Sequence, residues 1–193
     1  IYAVKDTDLY VNLFMSNTMT QKIAGKAVTI SQQTNYPWDG DVTLSVDKTA
    51  AKDFALKIRI PGWVQGSPVP SDLYRYDDTK NLSYSIKVNG DEVESELDKG
   101  YFTINRKWKK GDKVEIHFDM EPRLVKAHSA VAADEGRVAF ERGPVVYCAE
   151  HPDNAFSVRS VLIGTNPDIE VVKRPDLLYG INQLVTEAQT LNF

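Results

Sequence analysis

With 193 residues, 42% of them apolar and 26% charged, the chain has the composition of an ordinary globular protein, long enough to bury a core without covalent staples. A net charge of -4 excludes a general nucleic-acid binder, which needs a basic stripe to neutralise phosphates. The single cysteine, Cys148, excludes an internal disulfide framework and a cysteine-rich zinc site, and no run approaches the roughly 18 apolar residues of a membrane span.

The first residues, Ile1-Tyr2-Ala3-Val4-Lys5, show neither an initiator methionine nor a signal-peptide pattern and read as a cut inside a longer polypeptide. From there, period-two alternation rich in β-branched and aromatic residues predicts strands at Leu9–Met15, Ala27–Gln33, Val42–Val46, Ala55–Ile60, Ser83–Val88, Glu92–Leu97, Tyr101–Arg106 and Val114–Met120. Further strands are expected at Leu124–Ala127, Arg137–Glu141, Val145–Ala149, Val158–Ile163, Ile169–Val172 and Gln183–Ala188. Asn89-Gly90, between two alternating runs, is a strong hairpin signal, and Asp39-Gly40, Lys99-Gly100 and Lys110-Gly111-Asp112 mark further turns. Single helical turns are expected at Thr49–Asp53 and Pro175–Leu178, and Pro61–Lys80 reads as a long loop. Short strands at such intervals predict an all-β, antiparallel β-sandwich of jelly-roll type. The strand pattern lapses over Ala127–Glu135, which divides the chain into a first sandwich, residues 1–128, and a second, partial one, residues 129–193.

Few residues are spaced for chemistry. His117, His128 and His151 have no metal-clip spacing and read as strand-face or strand-end residues. Asp39, Asp41, Asp134, Glu135, Glu141 and Glu150 could in principle supply a glycosidase pair, but turn aspartates more often bond their own backbone. Cys148 follows Val145-Val146-Tyr147 and reads as a small buried hydrophobe that labels slowly in the native state. Arg106, Lys107, Lys109, Lys110 and Lys113 are diluted by Asp112 and Glu115 and read as a solvated hairpin rim. Trp38, Trp63 and Trp108 adjoin turns, where packing is the commoner role. Tyr74, Arg75 and Tyr76 sit in the long loop, so Trp63, Tyr74 and Tyr76 are the candidate sugar contacts. No catalytic, cofactor-binding or metal-ligating residue is identified.

Several segments together carry a resemblance. Leu9-Tyr10-Val11-Asn12-Leu13-Phe14, Tyr36-Pro37-Trp38-Asp39-Gly40 and Leu56-Lys57-Ile58-Arg59-Ile60-Pro61-Gly62-Trp63 come in order, followed by Tyr101–Trp108 with Gly111-Asp112. Met120-Glu121-Pro122-Arg123 and the run Gly136–Cys148 complete the series. They resemble the downstream, non-catalytic region of glycoside hydrolase family 127, the β-L-arabinofuranosidase-like proteins, over residues 1–155 and more weakly beyond. The resemblance implies an N-terminal (α/α)6 barrel that holds the sugar and a zinc ion bound by a glutamate and cysteines, one of them the nucleophile in an adjacent cysteine pair. This chain has no adjacent cysteines, so no catalytic role carries over and no cofactor is expected in it. Cys148 matches a place in the downstream sandwich.

The expectation is therefore an accessory β-sandwich region. It would buttress an N-terminal catalytic domain of the same polypeptide through the strand Leu9–Met15 and contribute to homodimer contacts, with neither nucleic acid nor membrane as partner. Two alternatives stay open: a carbohydrate-binding module using Trp63, Tyr74 and Tyr76, and an independent enzyme with an unrecognised site. A periplasmic, an extracellular and a cytoplasmic location all agree with the sequence.

Overall fold

A computed structural model describes residues 1–51, 53–80, 82–154 and 156–190. The chain folds as an all-β protein in two compact units: Ile1–Ser71 with Thr79–Met120, and Asp72–Asp78 with Glu121–Phe193. The sequence pattern places the division at residue 128. In the structure the strand that follows Met120 pairs only within the second unit, and a short piece of the long loop joins it there.

The first unit is a sandwich of two sheets. One has the order β1 (Tyr2–Lys5), β2 (Asp8–Val11), β6 (Asp53–Arg59), β10 (Tyr101–Lys107). The other runs β3 (Asn17–Ile23), β4 (Lys26–Thr34), β5 (Asp41–Thr49), β11 (Lys113–Phe118), β8 (Tyr84–Val88), β9 (Asp91–Glu92). All pairs are antiparallel except β2 with β6, which run parallel. The strands form because their apolar side chains alternate. In β11, Val114, Ile116 and Phe118 are buried while Lys113, Glu115 and His117 face solvent. Leu9, Val11, Leu56, Ile58 and Phe102 from the first sheet share the core with Val28, Ile30, Leu44 and Ile86 from the second. Full burial of each such side chain contributes roughly 1.5–3 kcal/mol.

Asn89 (φ 55) and Gly90 (φ 89) close the β8–β9 hairpin with two left-handed residues, as the Asn-Gly pair predicts. The Asn89 side chain also ties the next hairpin down. Its Nδ2 donates to Asp112 Oδ1 (3.0 Å), and its Oδ1 accepts from the Lys113 amide (2.8 Å). Asp112 is buried, which pushes its carboxyl pKa up. The bonds from the Lys109 amide and Asn89, with the charges of Arg106 and Lys109, outweigh burial and hold it below the usual value.

The second unit contains the sheet β14 (Val145–Tyr147), β13 (Val138–Arg142), β12 (Pro122–Ala127), β7 (Tyr74–Tyr76). Two further ladders pair β15 (Val161–Leu162) with β18 (Gln189–Thr190) and β16 (Ile169–Arg174) with β17 (Ile181–Thr186). Tyr76, Leu124 and Val125 form its buried apolar centre.

Several expectations are corrected. Neither single helical turn forms: Thr49 completes β5 and Asp53 opens β6, while Lys52 lies outside the described residues. At 175–180, Leu178 (φ 47) and Tyr179 (φ 67) are left-handed, which a right-handed turn cannot accommodate. Among the described residues, the helical ones lie instead in three 3-10 turns, Ala132–Asp134, His151–Asp153 and Val158–Ser160, the last replacing the start of the expected strand Val158–Ile163. The strand expected over Leu9–Met15 ends at Val11, and that over Glu92–Leu97 is reduced to Asp91–Glu92.

Candidate functional site

Trp63 lies in the loop after β6, where Gln65 and Ser67 amides fold back onto the Gly62 carbonyl. Its indole is buried, with Nε1 donating to Tyr36 Oη (3.3 Å) and the ring edge-on to Phe118. Phe14 completes this cluster against Tyr36 and Phe118. The ring of Trp63 therefore works as packing, with no open face for a sugar to stack on. Trp108 is likewise core: it is 2% exposed, stacks on Phe54, and donates from Nε1 to the Phe54 carbonyl (3.0 Å). Trp38, in its turn, is the most exposed of the three.

His117 sits on the solvent face of β11, with Nδ1 2.6 Å from Asp41 Oδ1 and Nε2 3.3 Å from Asp119 Oδ1. The bond to Asp41, aided by the charge of Asp119, raises the imidazole pKa. The stabilisation this gives is complete below the ordinary histidine pKa and is lost as pH rises through the raised one. Because the pair is exposed, its contribution is small.

In the second unit, Tyr74 and Tyr76 point to one face of β7. The Tyr76 ring is buried beneath the guanidinium of Arg123, whose Cζ lies 3.5 Å from the ring centroid. Its hydroxyl donates to Glu141 Oε1 (2.6 Å). Arg123, itself 4% exposed, grips Asp78 through Nε (3.1 Å) and Nη2 (2.7 Å). Burial pushes the Tyr76 phenol well above its usual pKa and also raises the Glu141 carboxyl, which the Tyr76 bond and the Arg123 charge pull back down. Tyr74 donates to Asp134 Oδ2 (3.1 Å), and that bond raises its pKa. Of the three candidate sugar contacts, Trp63 thus belongs to the first unit, Tyr74 and Tyr76 to the second. Trp63 and Tyr76 are covered.

The other face of β7 carries Arg75, with Asp77 just after the strand, and these line a cleft of about 650 Å³ bounded also by Lys126 of β12 and the segments around 128–138 and 163–165. Lys126 Nζ is paired with Asp77 Oδ2 at 2.6 Å. Sequence reasoning passed over this cleft because a three-residue strand and irregular loops carry no periodicity.

Cys148 corrects another expectation. The strand β14 stops at Tyr147, and Cys148 is exposed, with Sγ 4.0 Å from Glu150 Oε1. A thiol reagent is expected to modify it as fast in the native state as in denaturant. Slow native labelling would contradict the exposed placement. The zinc centre implied by the resemblance does not fit the residues present: there is one cysteine, and among the described residues no group of three His, Cys, Asp or Glu side chains could hold a metal ion.

Residues 8–120 match the family described as "Beta-L-arabinofuranosidase, GH127 middle domain", and residues 122–183 match "Glycoside hydrolase family 127 C-terminal domain". A non-reducing end β-L-arabinofuranosidase from Bifidobacterium longum subsp. longum is 34% identical over 179 residues, covering 88% of this chain and 24% of the relative. A solved family 127 β-arabinofuranosidase superposes with a TM-score of 0.96 at 52% identity, over 100% of this chain and 30% of the other. The family 127 β-L-arabinofuranosidase of Geobacillus stearothermophilus T6 superposes with a TM-score of 0.85 at 34% identity, over 100% of this chain and 28% of its own. The chain thus spans about a quarter to a third of the length of these relatives. It belongs to glycoside hydrolase family 127, of which it carries the middle and C-terminal domains.

Proposed function

We propose that this chain is a non-catalytic part of a β-L-arabinofuranosidase and supports a helical catalytic domain of the same polypeptide. The observation that carries the reading is the contiguity of the two domain matches, 8–120 and 122–183, which together account for nearly all of the described fold. The chemistry of the side chains agrees with it: of the six carboxylates weighed for a glycosidase pair, four are engaged structurally, Asp39 with Asn35, Asp41 with His117, Asp134 with Tyr74 and Glu141 with Tyr76.

The supporting surface lies at the edge of the first sheet. The expected docking strand, Leu9–Met15, is only partly available, because Leu9 and Val11 are fully buried inside the sandwich. Around them, Ile1 and Val4 at edge strand β1, with Leu13 (58% exposed) and Met15 (50% exposed) just beyond β2, leave apolar side chains in solvent. Interfaces between domains of one chain cover roughly 600–1,500 Å², and an uncovered apolar edge of that kind invites a second copy to pair with it. Light scattering across a concentration series is expected to show self-association that the double variant Leu13→Lys, Met15→Lys weakens. A chain that stays strictly monomeric at every concentration would remove the support for this docking edge.

A further inference from the structure

We propose that the cleft beside β7 in the second unit binds an acidic saccharide, with the sugar carboxylate held by Arg75 and Arg137. Two features of the cleft carry this. The first is a pair of guanidiniums that the chain leaves without partners. Arg75 stands directly opposite Lys126 in the β7–β12 register, and like charges facing each other across strands are destabilising. Asp77 neutralises Lys126, but among the described residues neither the Arg75 nor the Arg137 guanidinium has a hydrogen-bond or ion-pair partner, although both line the cleft. Asp134 accepts from the neutral Tyr74 hydroxyl and keeps its charge, without reaching either guanidinium. After the Lys126–Asp77 pair, two guanidiniums and the carboxylates of Asp134 and Glu135 remain in the lining, so the cleft is balanced in charge, yet neither carboxylate pairs with a guanidinium.

The second feature is the mixture of the remaining groups. A guanidinium fork matches the two oxygens of a carboxylate. Glu135 and the Thr165 hydroxyl offer acceptors for sugar hydroxyls. His128 accepts the Ala130 amide at Nδ1 (3.1 Å), so its proton sits on Nε2 and that nitrogen is a donor. Glu135 would repel a dense anion such as a phosphate, whereas one carboxylate among several hydroxyls uses both signs. At about 650 Å³ the cleft falls in the range of small-molecule sites, far larger than a bare oxyanion needs. Among the described residues no Phe, Tyr or Trp lines it, so recognition rests on charge and hydrogen bonds rather than stacking. The choice of a saccharide rests on the family 127 reading; the choice of an acidic one rests on the cleft.

The test is a titration of the isotope-labelled chain, followed through its backbone amide resonances, with digalacturonate, with its dimethyl ester, and with acetate and inorganic phosphate separately. Saturable shifts confined to residues 75, 126–128, 135–137 and 163–165 are expected with digalacturonate, weakening as salt is raised. The ester, which keeps every ring hydroxyl, is expected to bind about tenfold more weakly or worse, as is digalacturonate to the double variant Arg75→Ala, Arg137→Ala. Both side chains are exposed, so the variant is expected to fold, and its amide spectrum verifies this. Equal binding of acid and ester, acetate or phosphate binding as tightly as the disaccharide, or no saturable shift in the millimolar range would each overturn the proposal. Such failure leaves the supporting role untouched, since that role is judged by association and turnover.

Discussion

Replacing Gly40 with alanine is expected to lower the stability of the first unit by about 3 kcal/mol or more and its melting temperature by roughly 10 °C or more. A Cβ at this position would lie 1.9 Å from the Phe118 carbonyl oxygen, 2.9 Å from its carbon and 3.1 Å from its nitrogen. These are backbone atoms at the end of β11, fixed by the amide of Phe118 donating to the Gly40 carbonyl (3.1 Å). They cannot rotate away as a flexible side chain could. Moving them would also drag the Phe118 ring, which is 1% exposed and wedged among Phe14, Tyr36 and Trp63. Gly25→Ala is the contrasting case: its φ is +77 but nothing lies within 4 Å of the new Cβ, so only the conformational cost of about 1 kcal/mol is expected. Thermal unfolding of both variants, followed by near-ultraviolet circular dichroism, separates the steric from the conformational cost. Equal effects would contradict the close approach at Gly40.

The second large effect is expected at Arg123 in the other unit. Arg123→Ala removes the two bonds to Asp78 and the cation over the Tyr76 ring, and leaves the buried Glu141 without its nearby positive charge. Breaking such a buried arrangement from one side costs about 3–5 kcal/mol. Arg123→Lys is expected to recover little, because an ammonium reproduces neither the fork nor the planar stack. The pH dependence follows from Glu141, whose pKa burial already raises. A carboxyl raised in the folded state weakens stability above its folded pKa, and that penalty is relieved as pH falls from the folded pKa toward the ordinary value. Loss of Arg123 raises the Glu141 pKa further, so the gap between variant and parent is expected to narrow on acidification. Amide exchange of β7, β12 and β13 measures this. Unchanged protection in Arg123→Ala would show that the network contributes nothing.

Much of the first sandwich was legible in the sequence because its central strands alternate strictly. β11 and β5 bury every second residue, and Asn89-Gly90 specifies its own hairpin. What escaped are strands whose stability comes from partners far along the chain. β3, Asn17-Thr18-Met19-Thr20-Gln21-Lys22-Ile23, is an exposed edge strand with a polar sequence, held by its ladder to β4. β7 has three residues and is defined by pairing with β12 some fifty residues on. Cys148 was misread for a related reason. The apolar run Val145-Val146-Tyr147 suggests burial, yet β14 is the edge of its sheet and Val146 is 66% exposed. The sugar-contact expectation at Trp63 and Tyr76 followed their place in a turn-rich loop. Their rings are covered by Phe118 in one case and Arg123 in the other, neighbours that sequence spacing does not reveal. The charged cleft was invisible because Arg75, Lys126 and Arg137 come together only through the pairing of β12 with β7 on one side and β13 on the other.

Hydrolysis of an aryl β-L-arabinofuranoside by the purified chain, with and without added zinc, is the most direct test of a non-catalytic role. The chain belongs to a glycoside hydrolase family but carries its middle and C-terminal domains, with one exposed cysteine and no clustered metal ligands among the described residues. No turnover above buffer is expected under either condition. Robust, zinc-dependent release of the aryl group by clean protein would contradict that role and place a catalytic site within these residues.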